Sequence, residues 1–512
     1  MYLPIILAFA FILSIIFSFL SLSKKLSAME IVNDMGLGWN LGDSFDCYDI
    51  DKKFENPDKV ITLCGNQIPK KEMFIKIKKY GFKTIRVPVT WMTFMDSSNN
   101  VNSEWMKKVK EVVDWVINLN MYCILNIHHD GSNGNWLSQG VKAKEKYVKL
   151  WEQIAEEFKN YDEHLIFESM NNVEYMIGGN YDFESLVILT QSFVDVIRNS
   201  GGNNIYRLLL ISGANSLLEL TSSPDYKMPI DPYNKLAVSL HYYYPTIFTT
   251  EKDDDPFTWI DENGQVNIVK PMTEWGSESQ YKDMFSNFEA MKKRFIDNGL
   301  PVIIAEVGVL TEQKKEKESI RKYLNAEFSM SSSYNGIMSC LWDTSNGDMR
   351  YYDRANDKWN DDIIKDIFKN ISKGKYVNPR EYYIISNKDT VMNSSPEGPV
   401  LMTIGEKKPM KIIFNAYVSA TPLYNAGFGV VSSDKNGNWV GQSVGANQGK
   451  KQYDGSYTFT IDVSEKDYND YIQIEEWWGY ENISLNYLTI EFEKKYTFFD
   501  YNEYKKYLTN LD

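Results

Sequence analysis

The chain has 512 residues, 43% of them hydrophobic and 24% charged, which is room for more than one packed core. Its formal net charge of -14 comes without any block of basic residues. That argues against a nucleic-acid partner and against an anionic membrane surface, both of which are held by Lys/Arg patches.

An uncharged apolar run from Tyr2 to Leu22, followed by Lys24 and Lys25, opens the chain. It reads as a secretory signal over residues 1–23, cleaved after a small residue such as Ser23. The alternative is an uncleaved anchor with extracellular domains, because about 20 apolar residues span a bilayer and no basic residue precedes the run. Cys47 and Cys64 share one polar, loop-like segment where a bridge would suit an exported chain, whereas Cys123 and Cys340 sit in apolar runs as small hydrophobes. There is no C-x-x-C and no Cys/His cluster, so no structural zinc is expected.

From Ala28 onward, short apolar runs ending in polar residues alternate with stretches of helical period. The runs are GLGWNLGDS (36–44), KTIRVPVTW (83–91), YCILNIHHD (122–130), LIFESMNN (165–172), RLLLISGAN (207–215), LAVSLHYYYP (236–245), PVIIAEVGV (301–309) and GIMSCLWDTS (336–345). Lys70–Tyr80, Ser103–Leu119, Lys144–Phe158 and Phe183–Asn199 carry apolar residues at i, i+3, i+4 and i+7 and predict helices between them. Strict alternation of this kind predicts a (β/α)8 TIM barrel over residues 28–375. A doubly wound open sheet would want a glycine-rich phosphate loop after the first strand, and none is there.

In such a barrel the active site lies at the C-terminal ends of the strands. Asn40, Arg86, His128, His129, Asn171, Asn172, His241, Tyr243, Glu306 and Trp342 end the runs and are expected to converge there. The chain has only 4 histidines, and His164, at the start of a strand, is the one outside this set. A polar, aromatic insertion follows Tyr244; its Trp259 and Trp275 are either sugar platforms or pins that fix the loop to the barrel.

After Lys375 the pattern changes. Residues 376–399 are rich in Pro, Gly, Asn and Ser and read as a linker. Segments such as MKIIFNAYVSA, GSYTFTIDV and YIQIEEWW then alternate as strands, predicting a small all-β sandwich domain over 400–498, with a tail at 499–512. Trp439, Trp477, Trp478 and Tyr480 make that domain a candidate carbohydrate-binding module; a structural appendage with an aromatic core is the alternative.

The segments GWNLGDSFD, IRVPVTW, LNIHHD, LIFESMN, SLHYYYP, IIAEVG and CLWDTSNGD occur in this order. Together they make residues 28 to 370 resemble glycoside hydrolase family 5, the cellulase family A type of retaining barrel enzymes. The resemblance implies that Glu306 is the nucleophile and Arg86 the arginine that keeps it ionised. It places His241 and Tyr243 beside the reacting carboxyls, and Asn171 on the sugar 2-hydroxyl. Trp342 becomes a platform under the sugar at the cleaved end. His128 or His129 becomes the substrate-subsite histidine, with Asn40 also in the substrate-binding set.

One position departs from the family pattern. A retaining glycosidase needs a second carboxyl about 5–5.5 Å from the nucleophile, to protonate the leaving oxygen and then activate water. The family has an Asn-Glu pair; here the pair is Asn171-Asn172. Glu174, two residues on, would need a loop rearrangement to substitute, and Glu168 is expected to make buried hydrogen bonds inside the barrel. The expectation is a β-1,4-glucan hydrolase of endoglucanase type with low activity, acting as a monomer on plant cell-wall polysaccharide, with no metal or organic cofactor. A catalytically disabled polysaccharide binder is the alternative, and an anchored adhesive protein a third. Whether the glycan is cellulose, mixed-linkage glucan, xyloglucan or mannan depends on loop shape.

Overall fold

All eight apolar runs contain a strand: β1 (Leu37–Asn40), β2 (Phe82–Val87), β3 (Tyr122–Asn126), β4 (Leu165–Glu168), β5 (Leu209–Ser212), β6 (Leu236–His241), β7 (Val302–Val307) and β8 (Ile337–Leu341). They pair in parallel in chain order and close into a barrel where β1 meets β8. The computed structural model describes residues 26–377 except 51–53, 133, 178–179, 253–257, 261–265, 269 and 313. Beyond these it describes 400–403, 409–418, 427–434, 436, 438–445, 449–452, 455–463, 471–478, 483–492, 498–499 and 506. The apolar run 1–23 and the breaker-rich stretch 378–399 lie outside them. Among the described residues no helix is long and apolar enough to cross a membrane.

The four stretches of helical period form helices: Lys71–Lys79, Ser103–Asn118, Lys144–Phe158 and Phe183–Asn199. In Ser103–Asn118 the stripe Trp105, Val109, Val112, Val113 and Val116 is buried, and Asn102 caps the start by accepting from the Glu104 and Trp105 N–H groups. Outward residues of the strands meet such stripes; Phe167 of β4 packs on Trp151, ring centroids 5.6 Å apart.

The barrel interior is layered along its axis. At the bottom, helix Ala28–Met35 is fixed by a capping box between Ser27 and Glu30. Its Ile31, Val32 and Met35 pack in one cluster with Tyr122, Ile124, Ile166, Leu210, Ala237, Ile303, Ala305, Met338 and Cys340. Each large apolar side chain so buried is worth roughly 1.5–3 kcal/mol. Two residues further along β3, β4 and β6 the lining turns polar: Asn126 after Ile124, Glu168 after Ile166, Ser239 after Ala237. The period of two that lays down the apolar floor therefore lays down the polar layer above it.

Cys47 and Cys64 form a disulfide that ties down the segment after β1, while Cys123 and Cys340 are free and buried. By compactness the chain forms two units, Met1–Val377 with Phe498–Asp512, and Asn378–Thr497. Tyr376–Val377 pairs antiparallel with Phe498–Phe499. The residues expected to begin the linker and the tail are thus strand residues instead. In the second unit, β9 (Val400–Thr403), β10 (Pro409–Val418), β11 (Gly427–Ser433), β12 (Trp439–Gly445), β13 (Lys450–Lys451), β14 (Tyr457–Asp462), β15 (Tyr471–Trp478) and β16 (Ile483–Phe492) form two antiparallel sheets, ordered β9-β15-β11-β12 and β13-β14-β10-β16.

Gly38 of β1 lies opposite Cys340 of β8. A Cβ there would come within 2.2 Å of the Cys340 sulfur, so only glycine lets the barrel close at this seam. Gly38→Ala is expected to cost about 1–3 kcal/mol in urea unfolding. Adding Cys340→Ala should restore most of it; an unchanged midpoint in the single variant would contradict the account of the seam.

Candidate active site

The site is built on one buried cation. Arg86, in β2, is fully buried and spends its planar fork on four acceptors. Nε donates to Glu168 at 2.7 Å, Nη1 to Asn40 at 3.0 Å and Glu306 at 2.8 Å, and Nη2 to Asn171 at 2.8 Å. These acceptors come from β4, β1, β7 and the segment after β4, so one guanidinium ties four parts of the barrel rim together. A lysine could not do this, having no rigid set of five donors. Burial pushes the Arg86 pKa down, but Glu168 and Glu306 outweigh it and raise it.

Glu168 is the structural partner. Its Oε2 also accepts from Asn126 at 3.0 Å and its Oε1 from Ser239 at 2.5 Å. Both oxygens are spent inside the barrel, as expected for a carboxylate pointing along the strand.

Glu306, buried, ends the network at the cleft. Strict alternation on β7 would not place it there, because Ile303 and Ala305 already face the interior. A β-bulge resolves this. On β7 the pairing with β6 steps from Ile304–Leu240 to Glu306–His241, two residues against one, and the extra residue re-aims the glutamate into the cleft. There Oε1 accepts from Arg86, Oε2 accepts from the Tyr243 hydroxyl at 3.1 Å, and Oε2 lies 3.4 Å from His241 Nδ1. Burial works to raise its pKa, but His241, Arg86 and the hydrogen bonds from Arg86 and Tyr243 outweigh it, so Glu306 stays below the usual carboxylate range. Burial also lowers the pKa of His241 itself. The permanent positive charge beside Glu306 is that of Arg86. Burial, with Glu306 adding to it, raises the Tyr243 pKa, so the phenol remains a donor. A carboxylate held ionised by a buried cation and a neighbouring hydroxyl donor is suited to nucleophilic attack.

Asn171 is buried, and its orientation is set by Arg86: with Oδ1 accepting from Nη2, its Nδ2 is turned toward Asn172 Oδ1 at 2.6 Å and His128 Nε2 at 3.5 Å. Asn172 is exposed. Among the described residues its Nδ2 has no hydrogen-bond partner. Glu174 is exposed too, beyond the buried Val173.

The opposite wall is aromatic. His128 stacks on the half-buried Trp342, centroids 5.6 Å apart and planes within 6°. His129 meets His128 edge-on at 4.4 Å, and Tyr48 lies 5.3 Å from His129. Burial holds His128 well below its ordinary pKa and brings His129 down to about 4. Asp46, His128 and His129 bring one possible metal-ligand atom each within 4.8 Å of one another. Both Asp46 oxygens also accept from the Asp43 and Ser44 N–H groups.

Two expected substrate contacts are corrected. Asn40 is fully buried, with Oδ1 on Arg86 and Nδ2 donating to the Ala305 carbonyl at 2.8 Å; it positions the guanidinium and offers nothing to a ligand. Trp275 is 3% exposed and packs edge-on against Tyr281 and Tyr323, so it pins the loop and is no platform. Trp259 lies on a hairpin strand, Thr258–Ile260, whose backbone alone is described. The same holds for Trp439 of β12 and for Trp477 and Trp478 of β15, and Tyr480 lies outside the described residues. Sequence reading missed Asn126 and Ser239, which hold Glu168. Their signal was present in the alternation, since Asn126 shares a face with His128 and Ser239 with His241.

Comparison with known proteins agrees with this geometry. The family model described as "Cellulase (glycosyl hydrolase family 5)" matches residues 49–348. Endoglucanase A of Clostridium longisporum is 34% identical over 352 residues, covering 64% of this chain and 63% of that enzyme. The solved structure of a GH5-4 broad specificity endoglucanase from an uncultured bovine rumen ciliate is 58% identical, covers 69% of this chain and 99% of its own, and superposes with a TM-score of 0.67. A glycoside hydrolase 5 lichenase from Caldicellulosiruptor sp. F32, solved as a mutant with cellotetraose, is 29% identical, covers 68% and 96%, and has a TM-score of 0.59.

Arg86→Ala would leave Glu168 and Glu306 buried without their cation, at a cost of about 3–5 kcal/mol. The depressed pKa of Glu306 means that its share of the wild-type stability is present above the unfolded pKa and lost as pH falls through the folded one. The stability gap between wild type and Arg86→Ala should therefore be widest near neutral pH and narrow in acid. Denaturant unfolding from pH 7 downward measures it, and a gap that widened in acid would refute the pairing.

Proposed function

Since the chain belongs to glycosyl hydrolase family 5, we propose that it is a retaining glycoside hydrolase of endo-1,4-β-glucanase type, weakened because Asn172 stands where the proton donor is needed. Glu306 attacks the anomeric carbon, and Arg86 keeps it ionised. Tyr243 and His241 hold its second oxygen. The Nδ2 of Asn171 meets the sugar 2-hydroxyl, a bond that strengthens as positive charge develops at the anomeric carbon. Trp342, His128 and His129 line the sugar subsite. The observation that carries this reading is the clamp on Glu306: a buried carboxylate, ionised and triply contacted, at the C-terminal mouth of the barrel. The relatives described as broad specificity endoglucanase and lichenase support a β-glucan as the substrate class.

The exposed amide of Asn172 favours a second reading, a polysaccharide binder that no longer cuts. An amide neither donates an acidic proton to a departing alkoxide nor takes one from water. Export is part of the proposal, supported by the apolar N-terminus and the Cys47–Cys64 bridge. So is a β-sandwich that grips polysaccharide through Trp439, Trp477, Trp478 and Tyr480.

Asn172→Glu should raise turnover of soluble β-glucan by about 10²–10⁴-fold, measured as reducing ends released. Adding Glu306→Gln should abolish it. No gain in the first variant would mean that the missing acid is not what limits the site. Retention on insoluble cellulose should fall in Trp477→Ala/Trp478→Ala; undiminished retention would remove the β-domain as a binding module.

A further inference from the structure

We propose that this site is a glycosyl transferase to anions: it takes β-glucosides whose leaving group departs without a proton and passes the sugar to azide, carboxylate or thiolate in preference to water. The inference rests on the reading above of Glu306 as nucleophile and Asn172 as the residue in the acid/base place. It follows from which half of the machinery the structure keeps.

The half that forms a covalent intermediate is complete. Glu306 is fixed by Arg86 at 2.8 Å and by Tyr243 at 3.1 Å, and the Asn171 amide is locked with its nitrogen turned toward Asn172 and His128. The half that moves protons is replaced by an exposed amide whose Nδ2 has no partner among the described residues. Such an amide donates a neutral hydrogen bond to a leaving oxygen and nothing more. Sugar hydroxyls leave poorly without protonation, whereas a phenolate of low basicity leaves with its electron pair and needs none.

In the first step a Glu306 oxygen bonds to the anomeric carbon and the bond to the aglycone oxygen breaks, releasing the phenolate. In the second step water would have to lose a proton as it attacks, and nothing at position 172 accepts it. An anion carries no such proton. It bonds to the anomeric carbon from the opposite face, the ester bond breaks, and the electron pair returns to Glu306. Two inversions leave the product in the β configuration.

Charge favours the second step as well. Once Glu306 is esterified, Arg86 keeps only Glu168 as its ionised partner, so the floor of the cleft has gained one unit of positive charge. A glutamate at position 172 would set a negative charge in the path of the incoming anion, and asparagine removes it. Its exposure leaves that path open to solvent.

The test uses the full chain, 2,4-dinitrophenyl β-cellobioside, and sodium azide against sodium chloride at equal ionic strength. Expected is a stoichiometric burst of dinitrophenolate and then a slow phase, which azide accelerates by at least about tenfold, giving β-cellobiosyl azide by NMR. In Asn172→Glu the azide effect should vanish. A burst with a slow phase indifferent to azide, and cellobiose as the sole product, overturns the transfer while leaving Glu306 as the nucleophile. An α-azide overturns it too, because it means single displacement. Absence of a burst, with no sugar carried on the peptide containing Glu306, removes both this inference and the reading it rests on.

Discussion

A buried guanidinium is the constraint on which the rim of this barrel depends. Arg86 has no water to solvate it, so its charge must be met by protein. Two carboxylates and two amides meet it, from three separate stretches of chain. Each acceptor is then positioned by something else: Glu168 by Asn126 and Ser239, Asn40 by backbone carbonyls of β7 and β8, Glu306 by Tyr243. The result is a polar layer in which nearly every donor has a partner, stacked on an apolar floor sealed by the N-terminal helix. Such a layer is rigid because moving one member leaves another buried and unpaired.

That rigidity explains how the cleft stays intact beside Asn172. The network is closed by Asn171, whose oxygen belongs to Arg86; the side chain of Asn172 lies outside it, exposed, its one bond made to its neighbour. Glutamate at 172 would be a matter of chemistry and hardly one of folding. Stability and proton transfer are thus assigned to adjacent residues, joined by the single hydrogen bond from Asn171 Nδ2 to Asn172 Oδ1.

Much of the site was legible because a (β/α)8 barrel turns strand ends into a single surface. That rule places Arg86, His128, Asn171, His241, Tyr243, Glu306 and Trp342 at strand ends; Arg86 touches Asn171 and Glu306, Glu306 touches His241 and Tyr243, and His128 stacks on Trp342. The rule fails for depth. Asn40 and Asn171 have the same side-chain chemistry, yet the Nδ2 of Asn40 is spent on backbone carbonyls of β7 and β8, whereas that of Asn171 faces Asn172 and His128. For Trp275 the sequence left platform and pin open, and the choice is made by Tyr281, six residues on, together with Tyr323, which comes from far along the chain.

The sequence by itself determined the barrel, because periods of two and 3.6 in alternation admit few other ways to bury both kinds of face. It also determined the residue types at the mouth, including the amide at 172, since chemistry at a position is a property of the side chain alone. Only the tertiary structure decided that Glu306 faces the cleft. The alternation on β7 assigns the interior to Ile303 and Ala305, and the step in pairing against β6 turns the next residue inward as well. A bulge is a mismatch between two strands, and a mismatch cannot be read from either strand alone.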